Sequence, residues 1–308
     1  MRYYSFKTYL QNRYGANVKK IGLNAGFGCT NRDPARGKEG CIFCNEEGFS
    51  NFYGSDLSLE SQIKESVATA KEKHNVHKFI AYFLNGTSTN APVQELKRTY
   101  DVIKKFPEIV GLSISTRPDC IDEEKLDLIA GYAKSYEVWI EYGVQTIDDN
   151  VLLKMNRGHT FMTSEEAIKR TAEKGIKVGV HIIVGAFNQS RENIIKTAEV
   201  ISRLPVSGVK LHAFQVLKNT SLEKMYERGD VHLFTKDEYV RHVCDFLEHL
   251  RADCTVLRLI SDAKKDLVVA PQWMEDKLDV MRCIERELEK RGTGQGEKRL
   301  KNADITQL

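Results

Sequence analysis

No apolar run in the 308 residues approaches the roughly 18 that a membrane-spanning helix requires. The opening stretch, MRYYSFKTYLQNRYG, lacks the apolar core of a secretion signal. These two absences make a cytoplasmic protein with no membrane partner the expectation. Charge of one sign is also missing. Charged residues make up 29% of the chain but the net charge is only +3, so there is no chain-wide signature of polyanion binding. There is no internal repeat, no visible linker between domains, and no GxGxxG after the first strand candidate. What the chain has is 41% apolar residues, enough for the core of one large or two ordinary domains, and seven cysteines. In a reducing compartment, thiols in that number point to metal binding or catalysis rather than disulfides.

Three of the thiols are concentrated in Asn24–Phe52, NAGFGCTNRDPARGKEGCIFCNEEGFSNF. Eleven residues separate Cys29 from Cys41, and two separate Cys41 from Cys44. A short CxxC turn presents both sulfurs to one centre, and Cys29 must return to it across a loop rich in Gly, Pro and charge. Structural zinc takes four closed ligands, commonly as two paired halves, whereas this stretch has one half, one distant Cys and no His. Three thiolates fit an iron–sulfur cluster with one iron left open, and an open position is where metal chemistry occurs. Two rivals stand beside this reading. One is a zinc-stabilised RNA-binding module using these thiols and a distant His; the other is a scaffold that keeps a cluster only for folding. Cys244, Cys254 and Cys283 contain no CxxC. Cys244 and Cys283 fall on amphipathic helix patterns, where Cys acts as a small apolar residue, so one cluster per chain is expected.

The pattern predicts a helical leader over 1–17, then strands at Val18–Asn24, Lys78–Asn85, Gly111–Thr116, Tyr136–Val144, Lys177–Gly185 and Val209–Val216. Helices are predicted between them at Leu59–Lys73, Val93–Lys105 (started by Pro92), Glu123–Lys134, Asp148–Met155, Thr163–Lys174 (with a Thr163/Glu166 capping box) and Ser190–Arg203. Strands that are apolar without clean alternation belong in a parallel sheet covered on both faces. The six βα repeats of about 30 residues make an α/β, partial (β/α)6 TIM-like barrel the expected fold. A doubly wound sheet is the runner-up. A mainly helical C-terminal extension is expected over 218–290, with helices at Thr235–Leu250 and Gln272–Lys290 and a strand at Thr255–Ser261. Residues 291–308 read as a flexible tail after a 1–217 core.

Parallel α/β barrels place their chemistry at the C-terminal strand ends. The first strand runs into the cysteines, and the second ends at Asn85-Gly86-Thr87-Ser88-Thr89-Asn90. The third ends at Ser113, Ser115 and Arg117, and the fourth carries Glu141 and Gln145. The fifth carries His181, and the sixth Lys210, His212 and Gln215. Polar ends on apolar strands suit a ligand with a carboxylate, an ammonium group, an adenine and a ribose. Plainer readings exist for each: Glu141 as a core-edge ion-pair partner, Arg157 as a helix-end charge ahead of Gly158, His181 as a satisfied core His. Cys120 reads as a loop thiol, and Trp139 and Trp273 as packing residues.

The cysteine stretch resembles the cluster loop of the radical S-adenosylmethionine (SAM) superfamily, whose motif ends in Cys, any residue, an aromatic, Cys, as in Cys41-Ile42-Phe43-Cys44. The long first gap, AGFGCTNRD and GCIFCN resemble the elongator-catalytic-subunit-like branch and, within it, the YhcC-type group, although Thr30 stands where that group more often has Pro. GVQTIDDNVLLKMNRGHT, LSISTRPDC and HIIVG resemble the segments around the fourth, third and fifth strands. The resemblance implies a [4Fe–4S] cluster on Cys29, Cys41 and Cys44. It also implies SAM contacts at Gln145, Arg157, Ser115, Arg117 and His181, with Asn85 in the loop that replaces the family's Gly-Gly-Glu. Gly185-Ala186-Phe187-Asn188-Gln189-Ser190 replaces the usual Gly-Leu-Pro-Gly-Glu. The implied activity is reductive SAM cleavage that starts radical chemistry, fed by an electron donor such as flavodoxin or ferredoxin. The substrate is not readable; a tRNA base follows only by analogy with branch relatives.

Overall fold

The computed structural model describes residues 1–33, 37–45, 47 and 52–299. Parts of the cysteine loop (34–36, 46 and 48–51) and the terminal 300–308 lie outside the described residues. Helix α1 (Phe6–Tyr14) is capped by Ser5, which accepts from the Thr8 N–H, and stops at Gly15 in the left-handed region. Strand β1 (Val18–Leu23) leads into the cysteine loop, which contains a small hairpin of β2 (Arg32–Asp33) and β3 (Lys38–Glu39). Next come α2 (Leu59–His74), β4 (Lys78–Phe83), α3 (Val93–Tyr100), β5 (Ile109–Thr116), α4 (Glu123–Gly131) and β6 (Glu137–Gln145). They are followed by α5 (Asp149–Lys154), α6 (Phe161–Glu173), β7 (Lys177–Val184), α7 (Arg191–Arg203) and β8 (Gly208–Ala213). The C-terminal part adds β9 (Val216–Leu217), α8 (Ser221–Glu227), α9 (Lys236–His249), β10 (Thr255–Arg258), β11 (Val268–Ala270) and α10 (Lys277–Lys290).

Seven parallel strands form one sheet in the order β1-β4-β5-β6-β7-β8-β10, with β1 and β10 as its edges. The architecture is the expected partial α/β barrel, followed by C-terminal helices, with one strand more than the six βα repeats suggest. The added strand is β10, from the C-terminal region, paired in parallel with β8. Its four residues read as a strand in sequence, but nothing in so short a stretch says which sheet it joins.

The two faces of the sheet differ. Ile21, Leu23, Ala81, Phe83, Leu112, Ile114, Ile140, Tyr142, Val180, Ile182, Val209 and Leu211 point outward into the main core, shared with the surrounding helices. The residues between them point inward and are largely polar, yet the whole of β6 is buried on both faces. Helix α1 closes the N-terminal end of the barrel. Phe6 and Tyr9 meet Trp139 edge-on at 5.9 and 5.7 Å, and the Tyr9 hydroxyl and Trp139 indole both donate to Glu137 Oε1. Cys244 and Cys254 lie in the main core and Cys283 packs against it.

Several boundaries differ from the sequence reading, each for a local reason. The Thr163/Glu166 capping box is not formed: Thr160 caps α6 by accepting from the Thr163 N–H, so the helix starts earlier. The Gln272–Lys290 helix is split, because Asp276 leaves helical geometry to cap α10. Val209–Val216 is not one strand; β9 turns away to pair antiparallel with β11. Residues 291–299 are not a loose tail. Thr293 donates to the buried Glu248, the Gly296 N–H to Leu247 O, and Gln295 exchanges bonds with Arg2 and Tyr4.

Candidate functional site

The concave face of the sheet encloses a cavity of about 380 Å³, lined at its rim by Cys29, Cys41 and Cys44. The hairpin of β2 and β3 is what carries the chain from Cys29 back to Cys41. The loop is tied down from three sides. Thr87 donates its N–H to Gly28 O (2.8 Å) and its hydroxyl to Cys29 Sγ (3.4 Å). At the end of α5, the Asn156 amide donates to Gly40 O, and Asn31 donates to Asn156 O and to Cys41 Sγ. The Ile42 N–H donates to Met155 O, and Ile42 O accepts from the Leu222 N–H at the start of α8. Glycine is required at Gly86, where φ is +63° and a Cβ would stand 2.5 Å from Gly28 O.

Strand β6 ends in an irregularity between Gly143 and Gln145, and Gln145 adopts φ +72°. The freed carbonyl of Gly143 accepts from Arg157 Nε and Nη2 (3.2 and 2.7 Å), while Arg157 Nη1 lies 3.4 Å from Cys41 Sγ. Arg117 binds Asp119 through Nε and Nη2, and its Nη2 also donates to Arg157 O. Its Nη1 is buried without an acceptor among the described residues.

Below this rim lies a polar layer centred on Glu141, whose residue is fully buried. Its carboxylate accepts from Ser113 Oγ (2.7 Å), Tyr82 Oη (3.1 Å), His181 Nε2 (2.9 Å) and Lys210 Nζ (3.2 Å), and pairs with Lys20. Burial opposes the charge on Glu141, but Lys20, Lys210 and the His181 bond hold its pKa well below the usual carboxylate range. Burial pushes Lys210 down to about 7, against the pull of Glu141. Burial and the Lys210 charge push His181 down to about 4. His212, whose ring lies 5.3 Å from that of His181, is pushed well below its ordinary value by burial and its cationic neighbours.

Of the residues singled out from sequence, the cavity brings together Cys29, Cys41, Cys44, Ser115, Arg117, Glu141, Gln145, Arg157 and His181, along with Lys210, His212 and Gln215. Asn85 is set apart. Its residue is buried, neither atom of its amide has a protein partner, and its neighbours Gly86 and Thr87 line the cavity in its place. Cys120 is buried beside Thr30 Oγ1 (3.1 Å), away from the cavity wall. Sequence reasoning missed Lys20, Tyr82 and Arg258. The signal for Lys20 was a lysine on the face of β1 opposite Ile21 and Leu23, the two buried residues of VKKIGL. Among the described residues no three His, Cys, Asp or Glu side chains are grouped to hold a single metal ion. None of the described helices is long and apolar enough to cross a membrane.

Comparison with known proteins identifies the family and the fold. The model of the radical SAM superfamily matches residues 23–201, and that of a Radical_SAM C-terminal domain matches 206–290. The chain is similar to the protein YtqA of Bacillus subtilis, with 35% identity over 96% of this chain and 92% of that one. It is also similar to the protein MJ0486 of Methanocaldococcus jannaschii, with 37% identity over 94% and 89%. Among solved structures, the archaeal Elp3 of Methanocaldococcus infernus shares the fold at a TM-score of 0.68, with 18% identity over 91% of this chain and 64% of that one. With one family model covering more than half of its length and relatives matched nearly end to end, the chain belongs to the radical SAM superfamily.

Proposed function

We propose that the protein is a radical SAM enzyme that binds one [4Fe–4S] cluster through Cys29, Cys41 and Cys44 and binds SAM in the cavity beneath them. The donor set fits: Cys29, Cys41 and Cys44 all line one cavity, and three thiolates are the number that leaves one iron of a four-iron cluster open. The same arrangement weighs against a zinc-stabilised RNA-binding module, which needs four closed ligands. A cluster held by Cys29, Cys41 and Cys44 would supply one-electron chemistry, the reductive cleavage of SAM that starts radical reactions. The chain's own part is to hold and shield. Thr87, Asn31 and Arg157 place N–H and O–H donors on the cysteine sulfurs, which stabilises thiolate charge. Helix α1 and the aromatic plug on Trp139 close the far end of the barrel against water.

The observation that carries the SAM assignment is Arg117 Nη1, a buried guanidinium donor with no protein acceptor on the cavity wall. We assign it to the SAM carboxylate, because Arg157 is engaged with Gly143 O and Cys41. Ser115, Gln145 and His181 supply further polar groups to the ligand from the same wall. Arg117→Gln with the cluster intact is expected to weaken SAM binding by about 1.5–3 kcal/mol, measured by calorimetry. Unchanged affinity removes Arg117 from the SAM site. The electron comes from a flavodoxin- or ferredoxin-type donor, and a tRNA base remains the substrate suggested by branch likeness alone.

A further inference from the structure

The half of the cavity away from the cysteines carries binding capacity that neither the cluster nor the protein uses. On the β8 and β10 wall stand Lys210, His212, Gln215 and Arg258. An ammonium has three N–H donors, and Lys210 gives one to Tyr82 Oη (2.8 Å) and one to Glu141. That leaves one N–H without a protein acceptor on a residue that lines the cavity. Gln215 Oε1 is buried with no partner. Arg258 has one long contact, 3.4 Å to Asp262, and Asp262 is also bound by Lys277 from outside the cavity. Cation is therefore in excess here: Lys20, Lys210 and Arg258 face Glu141 and Asp262, and Glu141 is already saturated by five protein groups. An excess of positive charge on a cavity wall favours a ligand of the opposite sign.

A second cavity, about 660 Å³, lies along the open edge of the sheet and shares Lys20, Gly22 and Asp262 with the first. It is lined by β1, by Phe52, Ser55 and Leu57, by the Glu65 side of α2 and by Asp262, Ala263 and Lys264, so that Lys19, Lys20 and Lys264 stand with Glu65 and Asp262. The second cavity thus borders the first at Lys20, Gly22 and Asp262, on the side away from the cysteine rim.

We propose that this wall is the substrate subsite, that it holds an anionic group of the substrate (a carboxylate or a phosphate) on Lys210 and Arg258, and that the substrate arrives through the open edge between β1 and the Asp262–Lys264 segment. The proposal rests on the radical SAM reading for what happens to the bound molecule, but not for the binding itself. Gln215 Oε1 then accepts from a donor next to the anionic group, and His212 fills the wall between them. The acid group is pinned at depth while the rest of the substrate extends toward the cysteine rim.

Calorimetric titration of the anaerobically purified chain, with SAM present, tests this with inorganic phosphate in one arm and succinate in the other. Saturable binding of one or both probes is expected, and the stronger arm identifies the acid. Arg258→Gln, which lies outside the Glu141 hydrogen bonds, and Lys210→Gln, which keeps donors for Glu141 and Tyr82, should each weaken it tenfold or more. Lys169→Gln, exposed on α6 and paired with Glu165 away from the cavity wall, should leave it unchanged. Absence of saturable binding by both probes overturns the proposal, as does binding that survives both cavity variants. Competition between the probes and SAM also overturns it, because the anion site would then be the SAM carboxylate's own. Formation of 5′-deoxyadenosine is followed separately, so a failed anion subsite with intact SAM cleavage is distinguishable from a failed radical reading with an intact subsite.

Discussion

His181 shows how one buried side chain couples the site to pH. Its pKa lies at about 4 in the folded chain, against an ordinary 6.5, because burial and the Lys210 charge outweigh Glu141. Between these values the unfolded chain holds more protons on this residue than the folded one, so stability rises with pH across the window and is lost on acidification. Taking the protein from pH 6.5 to 4.5 removes about 2 kcal/mol through His181. His181→Gln keeps a donor for Glu141 but does not titrate, and its loss over that range should be smaller by that amount in urea unfolding; equal losses in both proteins contradict the assignment. Gly86 sets a second test. Alanine there must hold a φ of +63° and push against Gly28 O, at a cost of about 1–3 kcal/mol in strain. The expected outcome is reduced iron retention with the circular dichroism of the fold preserved; full iron retention would show that the loop yields freely. The rim residues were legible in sequence because barrels display polar groups at strand ends. Glu141 was legible as a polar residue on β6 but not as the acceptor for five groups. Those groups come from strands far apart in sequence, and only the closed curvature of the sheet brings them together.

At the scale of elements, the strand and helix alternation followed from apolar runs and caps, since parallel strands buried on both faces leave an unmistakable pattern. The exceptions are short or compensated. β10 is four residues long, and β9 is set by its pairing with β11 rather than by its own sequence. The segment after α10 looked like a polar tail because RGTGQGEKR is hydrophilic, yet its polar groups answer buried carboxylates on α9. Glu248, fully buried, is bound by Arg291, Lys298 and Thr293, and Asp245 by Arg291 and Arg191. Ending the chain after Lys290 strips Glu248 of all three partners. Breaking a buried pair by removing one side costs about 3–5 kcal/mol, so the shortened chain should unfold at clearly lower urea concentration. An unchanged midpoint would show that these residues are dispensable for α9. Gln295 also ties the N-terminal segment to the end of the chain, which neither terminus announces by itself.

For the whole molecule, the sheet separates two tasks. Its convex face and helices make the apolar core, and its concave face is left polar and open at one side. The cysteine rim, the Arg117 donor and the Glu141 layer occupy successive depths of one cavity, an arrangement suited to holding a cofactor above a substrate. Family membership and fold are established by the comparisons and the sheet topology. The central claim, that this chain cleaves SAM reductively through its three rim thiols, is tested most directly by anaerobic reconstitution with iron and sulfide, followed by SAM and a strong reductant, with 5′-deoxyadenosine measured by chromatography. The account predicts 5′-deoxyadenosine together with methionine from the native chain, none from Cys41→Ala, and native yield from Cys254→Ala, whose thiol lies in the apolar core. No 5′-deoxyadenosine from the cluster-loaded native chain, or an equal yield from Cys41→Ala, would contradict it.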